Sequence, residues 1–150
     1  HVLQVDFGGK FNGYYSDVAR TVLVGETTSR QDYVLSNLAE IHQEIIQSVK
    51  PGVYFHELYN KCKDFVKKGD LPFFMPHIGH NMGIKLHEQP VISPVNDEVL
   101  EENMVINIEP ICIDEKSRSG YHIEDLVRVG KDGPDILTGS PLTEHPLRIK

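Results

Sequence analysis

Apolar and polar residues alternate through Val2-Leu3-Gln4-Val5-Asp6-Phe7, and this period of two predicts a strand over residues 2–7. Gly8-Gly9 marks a turn. Phe11 to Tyr15, broken by Gly13, and Asp17 to Val24 predict two more extended stretches, rich in Val, Tyr and Thr. The period then lengthens. Val34, Leu38, Ile41, Ile45 and Val49 fall on one helical face, Thr28 and Gln31 form a capping box ahead of them, and Pro51-Gly52 stops the run. A second helix carries Leu58, Tyr59, Cys62, Phe65 and Val66 and ends at Gly69. A Pro-interrupted, His-rich loop spans Leu71 to Pro94. Met104 to Ile113 and Tyr121 to Val129 predict strands, Lys131-Asp132-Gly133-Pro134 a turn, and the polar tail after Ser140 should fray. Strands at both ends with two helices between predict an α+β domain on a largely antiparallel sheet.

Four carboxylates interrupt the strand patterns. Side chains alternate across a strand, so Leu3, Val5 and Phe7 share one face while Asp6 lies opposite with Val2 and Gln4. Asp17 opposes Val18, Val22 and Val24, a face that also carries Arg20; Glu109 opposes Met104, Ile106 and Ile108. Glu124 lies across from Ile123, Asp125, Val127 and Val129. Each strand thus has an oily face and a second face with one acid near its end. Singly, such acids are solvated surface groups; four of them beside a His-rich loop point to a common site.

The chain has 150 residues and a formal net charge of −7, with 15 Lys and Arg against 22 Asp and Glu. That length suits one domain with a real core. The acidic balance argues against nucleic acid and anionic membranes as partners, and no apolar run approaches a bilayer span. No secretory signal is visible. Cys62 and Cys112 lie far apart and form no CxxC pair, so neither a disulfide framework nor a cysteine zinc site is expected; a cytoplasmic location is.

The loop Pro76-His77-Ile78-Gly79-His80-Asn81-Met82-Gly83-Ile84-Lys85-Leu86-His87 holds three histidines, with glycines at 79 and 83. An oxygen-rich site with imidazole suits Mn²⁺, Zn²⁺, Co²⁺ or Fe²⁺. Two divalent cations would neutralise the four carboxylates, which without metal would raise one another's pKa.

Asp6, Asp17, Gly79-His80, Ile108-Glu109-Pro110 and Glu124, in this order, resemble the ligand series of the methionine aminopeptidase/prolidase superfamily with its pita-bread fold. Val5-Asp6-Phe7-Gly8, Gly13-Tyr14-Tyr15-Ser16-Asp17-Val18-Ala19-Arg20-Thr21 and His87-Glu88-Gln89-Pro90 are similar to the family too, and the resemblance runs from Val2 to Thr138. Phe74-Met75-Pro76-His77, and Ile123-Glu124-Asp125 followed by Asp132-Gly133 and Leu137-Thr138, resemble the Xaa-Pro peptidases, prolidase and aminopeptidase P. Two positions depart from that pattern: His122 stands where those enzymes carry Arg, and Asn81 replaces a loop Gly.

The resemblance implies a curved, mostly antiparallel sheet covered by helices. Residues 1–150 would be the C-terminal, ligand-bearing part of a catalytic domain whose upstream half would complete the sheet beside the first strand. It implies two divalent metals: Asp6 on one, Asp17 and Glu124 bridging, His80 and Glu109 on the second. Two such cations would acidify a water to serve as nucleophile, and the resemblance implies hydrolysis of the amide before proline. Glu109 would shuttle the water's proton to the leaving amine, while His77, His87 and, in place of Arg, His122 would bind substrate and the oxyanion. Substrates would be peptides, either dipeptides or longer chains, and the full-length protein a homodimer. Two alternatives stand beside this: a relative acting on a small non-peptide amide or zwitterion, and a non-catalytic scaffold. Arg20 is either a support for the ligands or a surface ion-pair partner.

Overall fold

Thr28 opens the first helix as expected. Its hydroxyl accepts from the Gln31 N–H, and the Gln31 side chain accepts from the Thr28 N–H. The computed structural model describes residues 1–72, 75–138 and 147–149. Phe74, in the prolidase-like motif, lies outside them, as does most of the tail after Ser140. The elements are β1 (Val2–Phe11), β2 (Tyr14–Val24), α1 (Ser29–Ile46), α2 (Phe55–Lys68), β3 (His80–Asn81) and β4 (Glu88–Val91). They continue with β5 (Val105–Ile108), β6 (Ile111–Asp114), β7 (Ser119–His122), β8 (Asp125–Gly130), β9 (Gly133–Ile136) and β10 (Leu147–Ile149).

The strands form three sheets. β1 and β2 make a long antiparallel hairpin, with β10 parallel to β2. A five-stranded sheet has the order β4-β3-β5-β8-β9, and β6 pairs with β7. An antiparallel bridge between Ala19 and Glu124 joins the hairpin to the start of β8. The helices supply one side of the core. Leu35, Leu38, Ile45 and Ile46 from α1, and Phe55, Leu58 and Cys62 from α2, are almost wholly buried in one cluster with Ile106, Ile108, Tyr121 and Val127 from the strands. Each large apolar side chain so buried stabilises by about 1.5–3 kcal/mol.

Six expectations change. Gly8-Gly9 makes no turn but is paired inside β1, opposite Asp17 and Ser16. The chain turns at Asn12-Gly13 instead, where both residues have positive φ, so Phe11 ends β1 and Tyr14-Tyr15 joins Asp17–Val24 in one strand, β2. The segments 104–113 and 121–129 each split in two, β5 and β6 around Glu109-Pro110, and β7 and β8 around Ile123-Glu124. Proline has no N–H to give a ladder, and this one follows an acid. The His-rich loop contains β3 and β4. Part of the tail, Leu147–Ile149, is paired rather than frayed. The apolar face of β1 is not in the core: Leu3 and Phe7 are 46% and 61% exposed, since no described residue covers that side.

Candidate metal centre

The hairpin register sets the first two carboxylates. Asp6 lies opposite Ala19, and Asp17 opposite Gly8, so both acids fall on the same face two residues apart. A Cβ on Gly8 would sit 1.9 Å from the Ser16 carbonyl oxygen, so only glycine permits this close pairing. Across the Ala19–Glu124 bridge, the Glu124 N–H donates to the Ala19 carbonyl at 3.0 Å, which brings a third carboxylate to that face. Glu109 enters from the end of β5, its N–H donating to the Ile78 carbonyl at 2.8 Å. Gly79 makes the loop's approach possible: a Cβ there would lie 2.0 Å from the Asn107 carbonyl oxygen. His80 follows, 1% exposed, with its Nδ1 2.9 Å from the Asn81 carbonyl, leaving Nε2 to face the acids.

These side chains converge. Ligand atoms of Asp17, His80 and Glu124 all lie within 4.8 Å of one another, and so do those of Asp6, His122 and Glu124. Glu124 belongs to both sets. Glu109 stands beside them, its Oε1 3.7 Å from His80 Nε2 and 3.7 Å from His77 Nδ1, its Oε2 3.6 Å from His122 Nε2. The His87 ring packs against that of His80 at 4.4 Å between centroids. All eight expected site residues therefore come together. His77 lies beside Glu109 and His87 beside His80, whereas His122 lies in among Asp6, Glu109 and Glu124.

The electrostatics match a site built for cations. Burial, then the charges of Asp17, Glu109, Asp6 and Asp125, push Glu124 up to about 9. Burial and Asp6 also raise Asp17. Burial raises Glu109, but the nearby His122, His80 and His77 imidazoles outweigh it and hold the carboxyl below its ordinary value. His80 Nε2 and His122 Nε2 are buried without a hydrogen-bond partner among the described residues. Nitrogen lone pairs aimed at crowded carboxylates are the donor set that a divalent metal satisfies. The residues therefore fit the two metals that the resemblance implies. An open groove of about 510 Å³ leads to them, walled by Asp6, Asp17, Leu86, His87, Glu109 and Glu124, with Lys10 and Tyr15 further along the hairpin. That volume is in the range of small-molecule sites.

Behind the acids lies a buried polar layer that strand alternation does not reveal. The Arg20 guanidinium reaches Asp125 at 2.6 Å and also donates to the carbonyls of Ala19 and Glu124. Arg20 is thus no surface ion-pair partner: it ties β2 to the start of β8. His42 of α1 faces Asp125 at 3.6 Å and the Ile108 carbonyl at 3.2 Å. Asn107 donates to Glu124 Oε1 at 2.6 Å. Asn107 and His42 carried no signal in the sequence, since a lone Asn in a strand and a lone His on a helix face are ordinary.

The profile of metallopeptidase family M24 matches residues 1–131. The chain is 34% identical over 135 residues to the Xaa-Pro dipeptidase of Pyrococcus furiosus, covering 89% of this chain and 38% of that protein. It is 36% identical over 138 residues to the putative dipeptidase YkvY of Bacillus subtilis, covering 91% and 38%. Among solved structures, the prolidase from Pyrococcus furiosus superposes with a TM-score of 0.86 at 33% identity, over 93% of this chain and 41% of that one. The dipeptidase PepE from Mycobacterium ulcerans does so with a TM-score of 0.90 at 29% identity, over 99% and 40%. The chain thus spans about two-fifths of the length of these relatives. No helix among the described residues is long and apolar enough to cross a membrane. The match of the family profile over residues 1–131, with the pita-bread arrangement of strands and helices shared with these structures, places this chain in metallopeptidase family M24.

Proposed function

We propose that the chain carries the metal-binding part of an Xaa-Pro peptidase that hydrolyses the amide bond before proline with two divalent cations. The observation that carries this reading is the pair of three-residue clusters sharing Glu124. Two cations held side by side would supply Lewis acidity and an acidified water. Asp6, Asp17, His80, Glu109 and Glu124 would hold them. Glu109 is the proton carrier: three imidazoles keep it ionised, so it accepts a proton and delivers it to the leaving proline nitrogen. His77 and His87 donate to the carbonyl oxygen as it gains charge. The relatives named Xaa-Pro dipeptidase, and the two buried free cysteines, support a dipeptide substrate and a reducing, cytoplasmic setting.

The test is metal analysis with a peptide panel. Saturation with Mn²⁺, Co²⁺ or Zn²⁺ should give two metals per chain, and the loaded protein should cleave Xaa-Pro dipeptides in preference to peptides lacking proline. A metal:protein ratio near zero would overturn the reading.

A further inference from the structure

We propose that His122 is a metal ligand, grouped with Asp6 and Glu124 at one of the two cation positions. This rests on the two-metal reading above and replaces the substrate-binding role expected for this residue. His122 closes β7 in the middle of the carboxylates. Its Nδ1 is 3.8 Å from Asp6 Oδ2, and its Nε2 is 3.9 Å from Glu124 Oε2 and 3.6 Å from Glu109 Oε2. These separations are too long for hydrogen bonds. An imidazole gives a cation one nitrogen, and one nitrogen of His122, one oxygen of Asp6 and one oxygen of Glu124 all lie within 4.8 Å of one another, a small contraction away from the ~3.4 Å between ligand atoms each about 2.1 Å from a tetrahedral centre.

The imidazole has little else to do. The residue is 8% exposed, and its buried Nε2 has no hydrogen-bond partner among the described residues. Its backbone is fixed from both sides. The His122 N–H donates to Thr21 Oγ1 at 2.8 Å, and the Thr21 hydroxyl donates to the His122 carbonyl at 2.9 Å. Thr21 lies on the strand that also carries Asp17, so the ring is presented to the acids by a rigid frame. The two clusters then have the same composition: His80 with Asp17 and Glu124, His122 with Asp6 and Glu124. One imidazole per cation shifts preference toward Zn²⁺ and Co²⁺ over Mn²⁺, because imidazole suits the former and an all-oxygen set the latter.

The experiment counts imidazoles and metals together. The protein is loaded with Co²⁺ or Zn²⁺ and studied by X-ray absorption, with calorimetric metal titration in parallel. Wild type should show two imidazoles for two metals. His122→Gln should show one, and should lose affinity at one of the two positions by at least the roughly 10–100-fold that loss of a supporting hydrogen bond costs. His122→Glu, which keeps a donor, should recover the second metal without the second imidazole. His122→Arg, the residue that Xaa-Pro peptidases carry, should fold and bind as His122→Gln does. Circular dichroism checks folding throughout. One imidazole in wild type and variant alike, with two metals bound, would overturn the proposal and leave the dimetal reading intact. Two imidazoles in a protein that cleaves no Xaa-Pro peptide would uphold the proposal and sink the peptidase reading. No metal uptake would overturn both.

Discussion

Glu124 and Glu109 are carboxyls a few ångströms from the same imidazole, yet their environments push them apart. Glu124 is held protonated to about 9, while Glu109 is kept ionised by three imidazoles. Carboxyls pushed apart in this way take different proton roles, and the proposed reading gives the proton transfer to Glu109. Glu109→Gln should therefore lower kcat by on the order of 10²–10⁴. Steady-state kinetics that show an unchanged kcat and only a raised KM would contradict the role. Stability should follow the same chemistry. Metal-free, folded Glu124 keeps a proton that the unfolded chain releases above its ordinary value of 4.5, so stability present below that pH is lost as pH rises toward about 9. Asp17, also raised, acts in the same direction. His42 works oppositely: burial lowers it to about 4, so stability present above 6.5 is lost as pH falls toward 4. Between pH 6.5 and 9 the carboxyls act without His42. Melting curves of metal-free protein should fall in Tm across that window, and saturating Zn²⁺ should flatten or reverse the slope.

At the scale of elements, the two helices were legible because capping and period act locally, from Thr28 to Gln31 and from Val34 to Ile45. The acids and histidines that converge were legible too, as separate short motifs. The strand break at Glu124 was not, because apolar alternation runs through it, and at Glu109 the same alternation masked the local signal of Pro110. Tertiary bonds hold both breaks: the Ile78 carbonyl takes the Glu109 N–H, and the Ala19 carbonyl takes that of Glu124. Arg20 shows the same limit. Its partner Asp125 is 105 positions away and, by alternation, belongs to an oily face. The pair is buried at 10% and 4% side-chain exposure. Arg20→Met strands the Asp125 charge beside His42 and should cost about 3–5 kcal/mol, whereas Arg20→Met with Asp125→Leu should recover much of the loss. Denaturant titrations of the single and double variants decide this, and equal losses in both would show that the pair contributes little as a pair.

Across the whole molecule, the hairpin has two unlike sides. One presents Asp6 and Asp17 to the site; the other exposes Leu3, Val5 and Phe7. Strand alternation marked that row as apolar, but no local signal says what covers it. A ten-residue strand at the end of its sheet with a bare apolar face favours self-association. Residues 1–150, produced as such, should elute from a sizing column with a concentration-dependent volume, and Leu3→Lys with Val5→Lys should remove that dependence. Identical elution of the two proteins would show that the face is innocuous.

The bridge that joins the hairpin to β8 also has a temporal meaning. The Arg20 contact to the Glu124 carbonyl closes a span of 104 positions, with both helices inside it. Contacts of such long range form after local ones, because the entropy of closing the chain must be met first. Asp17 and Glu124 therefore become neighbours only when this long loop closes, and cation capture would report that event. Helical signal should return in refolding before the chain can hold a metal, and the cation should bind the finished fold rather than nucleate it.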